Sequence, residues 1–188
     1  MTTAAPTGTS GGDRLGTVLG LLRADAPGTV TGAPQDWPRW AVLLPHVLAA
    51  TDHFTALSAG QRDEALGDAS WLFDRAAAYL QVHARLAQAR PLAERALAIT
   101  EAAYGPGHPV VAIRLSNLAL ILQDLGDPGG ARPLAERALA IDEAARGPDH
   151  PEVAADLNNL ATILQDLGDP GGARLLAERA LAIKRKVK

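Results

Sequence analysis

Twenty-one consecutive residues recur almost letter for letter in this chain, and no other feature constrains the fold as strongly. Ile121 to Ile141 reads ILQDLGDPGGARPLAERALAI, and Ile163 to Ile183 reads ILQDLGDPGGARLLAERALAI, the one difference being Pro133 against Leu175. The offset is 163 − 121 = 42 residues. The same step joins Gly105-Pro-Gly-His-Pro109 to Gly147-Pro-Asp-His-Pro151, and a step back from Ala131 lands on Ala89-Arg-Pro-Leu-Ala-Glu-Arg-Ala-Leu-Ala-Ile99. Three units result, starting near Asp68, Pro109 and Pro151, the first of them drifted in its opening half. A period of this length marks stacked supersecondary units, none of which can bury its apolar face alone.

Each unit splits into two helical patterns. In the middle one Val111, Leu115, Leu118, Ala119, Leu122 and Leu125 recur at spacings of three and four, the stripe of an amphipathic helix. Past Gly126, the residues Ala131, Leu134, Ala135, Ala138, Leu139 and Ala145 form a second stripe. The boundaries carry their own chemistry. Gly126 suits the left-handed conformation that ends a helix, and Asp127-Pro128 supplies an N-cap followed by a first-turn proline. His108-Pro109 and His150-Pro151 open the first helix of their units in the same manner. Pro91 and Pro133 fall beyond the first turn of the second helix, where a backbone donor is lost and a bend is expected. Paired helices stacked side by side give an all-α, right-handed α-solenoid. Composition agrees: 47% of residues are hydrophobic but only 4% aromatic, which suits close-packed helices better than a β-sandwich.

The first third lacks the 42-residue signal. Residues 1–12 read as a flexible tail without the basic and apolar regions of a signal peptide. Asp13 to Arg23 reads as a short helix, 24–34 as a linker, and Trp37 to about Leu57 as a second helix bent at Pro45. Its Trp40, Leu43, Leu44, Val47 and Leu48 share a face that can cover the open side of the first repeat. The expected organisation is therefore a tail (1–12), a helical cap (13–65), a degenerate unit (66–108), a second unit (109–150) and a third (151–188) with a basic end.

Reactive chemistry has little support. With no cysteine there is no disulfide, thiolate zinc site or cysteine nucleophile. His108 and His150 occupy equivalent places on neighbouring repeats, about 8–10 Å apart, too far to share an ion at about 2 Å. His46 and His53 lie seven residues apart rather than four, so no metal and no cofactor are assigned. Glu94, Glu136 and Glu178 each follow an arginine by four residues and read as solvated i, i+4 pairs, not as catalytic acids. Neither Ser70 nor Ser116 stands in a Gly-x-Ser-x-Gly setting. A non-catalytic, cytoplasmic protein is expected, with no membrane segment. The formal charge is −3, and the run Lys184-Arg-Lys-Val-Lys188 reads as a helix ending rather than a nucleic-acid site.

The repeat resembles the tetratricopeptide family in its 42-residue, kinesin-light-chain form. The residues that carry the likeness are Leu115, Leu118-Ala119, Leu122, Ala131 and Ala138, their counterparts Leu157, Leu160-Ala161, Leu164, Ala173 and Ala180, and Phe73, Ala76-Ala77, Leu80, Ala89 and Ala96. Ala93, Ala135 and Ala177 stand where the family usually has a large aromatic. The resemblance implies a concave groove lined by first-helix residues: Asp74, Arg75, Ala78 and Gln81; then Ser116, Asn117, Leu120, Gln123 and Asp124; then Asn158, Asn159, Thr162, Gln165 and Asp166. Carboxamides both donate and accept, so an Asn and Gln ladder can pair with an extended peptide, Asp74, Arg75, Asp124 and Asp166 adding selectivity. The competing reading has Asn117 and Asn159 tying one helix to its neighbour. The chaperone-type clamp that holds a terminal carboxylate needs lysines that are missing here. The expected partner is another protein or peptide, with a homodimer through the C-terminal repeat as the alternative. Residues 13–65 also resemble the segment preceding the repeats in actinobacterial NB-ARC regulators, which implies the sensor end of such a protein. No phosphate-binding Gly-x-x-x-x-Gly-Lys-Ser/Thr motif accompanies it.

Overall fold

A computed structural model describes residues 11–56 and 66–186. Among them lie eight α-helices: α1 (Gly11–Asp25), α2 (Trp37–Ala56), α3 (Leu66–Val82), α4 (Leu86–Tyr104), α5 (Pro109–Asp124), α6 (Pro128–Arg146), α7 (Pro151–Asp166) and α8 (Pro170–Lys186). Helices α3–α4, α5–α6 and α7–α8 pair within units, and α4 packs on α5 as α6 packs on α7. The first helices also touch in succession, α3 to α5 to α7. The architecture is an all-α solenoid of helical hairpins.

Local chemistry explains the boundaries. The Nδ1 atoms of His108 and His150 accept the backbone N–H groups of Val110 and Glu152, each at 3.2 Å. Asp127 and Asp169 accept those of Gly130 and Gly172 at 2.8 and 2.9 Å. Gly126 and Gly168 close α5 and α7 at φ +78° and +81°. In the drifted first unit the equivalent residue is Ala84, which takes φ +56° although it bears a Cβ. Pro45, Pro91 and Pro133, where bends are expected, lie inside helices that continue past them.

The core runs along the stack rather than filling one centre. Leu72, Phe73, Ala76 and Leu80 of α3 and Ala89, Ala93 and Ala96 of α4 are buried together. The short second-helix side chains allow the close approach: Ala93 and Ala135 are each 2% exposed. On the open flank of α3, the predicted face of α2 is buried at Trp40, Leu43, Leu44 and Val47, with Leu48 half-buried. Phe54 meets Phe73 edge-on at 6.0 Å and Trp40 stacks on Tyr79 at 6.4 Å. α1 begins at Gly11, so Gly11 and Gly12 belong to a helix rather than to the expected tail. The rest of that tail, the stretch from Leu57 to 65, and the last two residues of the basic end lie outside the described residues. No helix of the described residues is long and apolar enough to cross a membrane.

Candidate functional site

The first helices α3, α5 and α7 touch in succession and form one face of the stack. A cleft of about 400 Å³ opens on it between α3 and α5. Ala77, Ala78, Leu120 and Ile121 give it an apolar lining, and Arg75, Gln81, Asn117 and Asp124 give it polar groups. Thr31, from the segment joining α1 to α2, completes one wall. The same segment sends the Gly28 carbonyl toward Arg75 Nη1, which donates across 3.5 Å. Sequence periodicity gives no signal for Thr31 or Gly28, since they precede the repeats.

The polar groups are organised as rungs between successive units. Gln81 Nε2 donates to Asp124 Oδ2 at 2.7 Å, and one repeat later Gln123 Nε2 donates to Asp166 Oδ2 at 2.5 Å. Asn117 Nδ2 donates to Asp74 Oδ1 at 2.8 Å, so Asn117 ties its helix to the neighbour. Its counterpart Asn159, with Asn158 beside it, is half-buried on α7 and has no such side-chain partner among the described residues. Thr162 turns its hydroxyl to the Asn159 carbonyl at 2.8 Å. Gln165 is exposed on the same helix.

Asp74, expected as a selector of ligand, borders the cleft from within the stack. It is 2% exposed, and its Oδ2 accepts Arg75 Nη2 at 2.8 Å and Arg114 Nη1 at 2.9 Å. With both oxygens engaged inside the stack, the carboxylate holds helices together. Arg114 extends the network, its Nε donating to Ser70 Oγ at 3.4 Å, and Ser70 pairs with Thr100 at 2.6 Å. Burial pulls the Arg114 guanidinium down from its usual range, while the Asp74 carboxylate acts in the opposite direction.

The next junction uses the same places with different chemistry. Ser116 replaces Asp74, Asp156 replaces Arg114, and Ser116 Oγ donates to Asp156 Oδ1 at 2.7 Å. Burial pushes the Asp156 carboxyl up to about 6; the Ser116 hydrogen bond opposes this, and Asp142 and Glu152 add to it. Neither Arg114 nor Asp156 stood among the expected site residues. Their signal was available: at this place the three units read Leu72, Arg114, Asp156, so an apolar core position changes to charged.

Comparison with known proteins agrees with this geometry. The tetratricopeptide repeat model matches residues 67–144 and 115–186. Among solved structures, the chain is similar to BtubC (BKLC) from P. vanneervenii, at 22% identity and TM-score 0.60, over 95% of this chain and 75% of that one. It is also similar to a kinesin-light-chain-type protein of nearly identical TPR-like repeats from Podosopora anserina, at 20% identity and TM-score 0.58, over 93% and 87%. At these identities the likeness is one of fold. No curated protein matches the chain. A repeat-family match spanning the three hairpins, together with the paired-helix stack itself, places this chain in the tetratricopeptide repeat family.

Proposed function

We propose that the chain is a non-catalytic binding module whose first-helix groove holds an extended or helical segment of a partner protein. The observation that carries this reading is the cleft between α3 and α5. It combines an apolar lining with a polar rim, and six of the sequence-predicted residues other than Asp74 line it: Arg75, Ala78, Gln81, Asn117, Leu120 and Asp124. Apolar concavities with a few fixed polar groups are the usual form of a recognition site.

The rungs refine what the ligand must offer. Gln81, Gln123 and Asn117 each spend a side-chain N–H on a neighbouring carboxylate. Each keeps its carbonyl oxygen and its second N–H, beside the second oxygens of Asp124 and Asp166. The amides can pair with either side of a peptide backbone, and the carboxylates of Asp124 and Asp166 favour donors such as a lysine or arginine side chain. Ala78→Trp fills the cleft without removing a rung. Partner capture should be lost in this variant while circular dichroism and melting stay as in the parent; retained capture of the same partner removes the groove from consideration.

Self-association is favoured by one observation, the exposure of Leu175 (62%) and Leu181 (49%) on α8. Light scattering across a concentration range tests it. The reading as the sensor end of a nucleotide-switched regulator rests on the resemblance of residues 13–65 alone.

A further inference from the structure

The third hairpin exposes a surface whose near-copy is covered in the second. From Pro128 to Ile141 and from Pro170 to Ile183 the two helices differ at a single position. On α6 this surface seats α7: Ala135 is 2% exposed, and Leu139 packs on the cluster of Val153, Ala154 and Leu157. On α8 the corresponding Ala177 is exposed and Leu181 is 49% exposed. No described residue lies over them. The molecule therefore carries its own template for what such a surface holds, an amphipathic helix with α7's apolar spacing.

The charges beside that surface are inverted between the copies. Lys184 stands where the second unit has Asp142, and Arg185 where the first two units have Glu101 and Glu143. Those glutamates accept rungs from the second helix of the next unit, Arg137 to Glu101 and Arg179 to Glu143, both at 2.6 Å. Another hairpin of this array's own type would bring its arginine onto Arg185. A second copy of α8 offers these cations little, because its single acid, Glu178, already pairs with Arg174. An acid does better. In the covered copy Asp156 of α7 lies near enough to Asp142 for the two like charges to oppose each other, whereas Lys184 in that place attracts it.

We propose that the outer face of α8 docks an acidic amphipathic helix of a partner protein, seated as α7 is seated on α6, with a carboxylate opposite Lys184. This does not depend on the groove, which lies on the first helices.

The chain supplies its own matched probes. A capped peptide of residues 151–166 has Glu152, Asp156 and Asp166 and no basic residue, whereas one of residues 109–124 keeps the apolar spacing but has Arg114 in the place of Asp156. Titrated by fluorescence anisotropy onto the full chain at low salt, the acidic peptide should bind more tightly, on the order of fivefold. Leu181→Glu should abolish that binding, and Lys184→Glu should reverse the preference; both positions are exposed, so the fold should persist by circular dichroism. Equal binding of the two peptides, no binding of either, or binding that survives Leu181→Glu overturns the proposal. So does a dimer in light scattering that Leu181→Glu dissolves, which would assign the surface to a second copy.

Discussion

Arg114 reaches back from α5 to Asp74 on α3 across 2.9 Å, and both side chains are buried. The pair joins helices whose sequence positions are 40 residues apart, together with Arg75 and Asn117. A carboxylate so enclosed offers little to a ligand and much to the junction.

Removing one side of this junction should therefore be severe. Asp74→Ala leaves the Arg114 guanidinium buried without its counter-charge, an effect of about 3–5 kcal/mol. Chemical denaturation should show that loss. The double change Asp74→Leu with Arg114→Leu should be much milder, because neither charge is then stranded; Leu already occupies the place equivalent to Arg114 in the first unit. A double variant as unstable as Asp74→Ala would show that the ion pair itself is needed.

The second junction should respond to pH. The Asp156 carboxyl is pushed up to about 6, above the value of about 3.9 for an unfolded aspartate. The folded protein thus holds this proton more tightly than the unfolded chain does. Ionised Asp156 opposes folding at neutral pH, and its penalty fades as pH falls through about 6 toward 4. Asp156→Asn keeps an oxygen for Ser116 and should be more stable than the parent at pH 7 by about 1–3 kcal/mol. Melting curves of the two proteins should converge only below about pH 4. A gap that does not change with pH would contradict this account.

Ala84 closes α3 in the left-handed region, where its counterparts are Gly126 and Gly168. A Cβ is unfavourable there by about 1–2 kcal/mol. Ala84→Gly should raise the melting temperature of the chain, by an amount reduced by the greater freedom of glycine when unfolded. The reverse change, Gly126→Ala, should lower it.

The outer rungs should matter little to stability. Gln81 and Asp124 meet near the surface, so Gln81→Ala should change unfolding free energy by less than about 1 kcal/mol. It also frees an oxygen of Asp124 at the rim of the cleft. If the groove takes basic ligands, capture of such a ligand should be maintained or improved by this variant.

Most of the architecture was legible in the chain. The 42-residue period, the His-Pro and Asp-Pro openings and the closing glycines belong to short-range chemistry, and each appears in the structure where the residues predict it. The covering face of α2 was equally readable, since Trp40, Leu43, Leu44 and Val47 lie at helical spacing. The groove residues were harder. Motif position brought Arg75, Ala78, Gln81, Asn117, Leu120 and Asp124 together around one cleft, but it did not separate them from Asp74, which borders the same cleft while Arg75, Arg114 and Asn117 engage it.

The sequence by itself determined that the chain makes helices in pairs, where each begins and ends, and that the pairs repeat, because those properties depend on neighbours within a few residues. Only the tertiary structure decided what each polar side chain meets. Asp74 finds Asn117 at a separation of 43 residues and Arg114 at 40, and Ser116 likewise finds Asp156 at 40. Such meetings follow from the step and rotation with which one hairpin rests on the last, and no local periodicity encodes them.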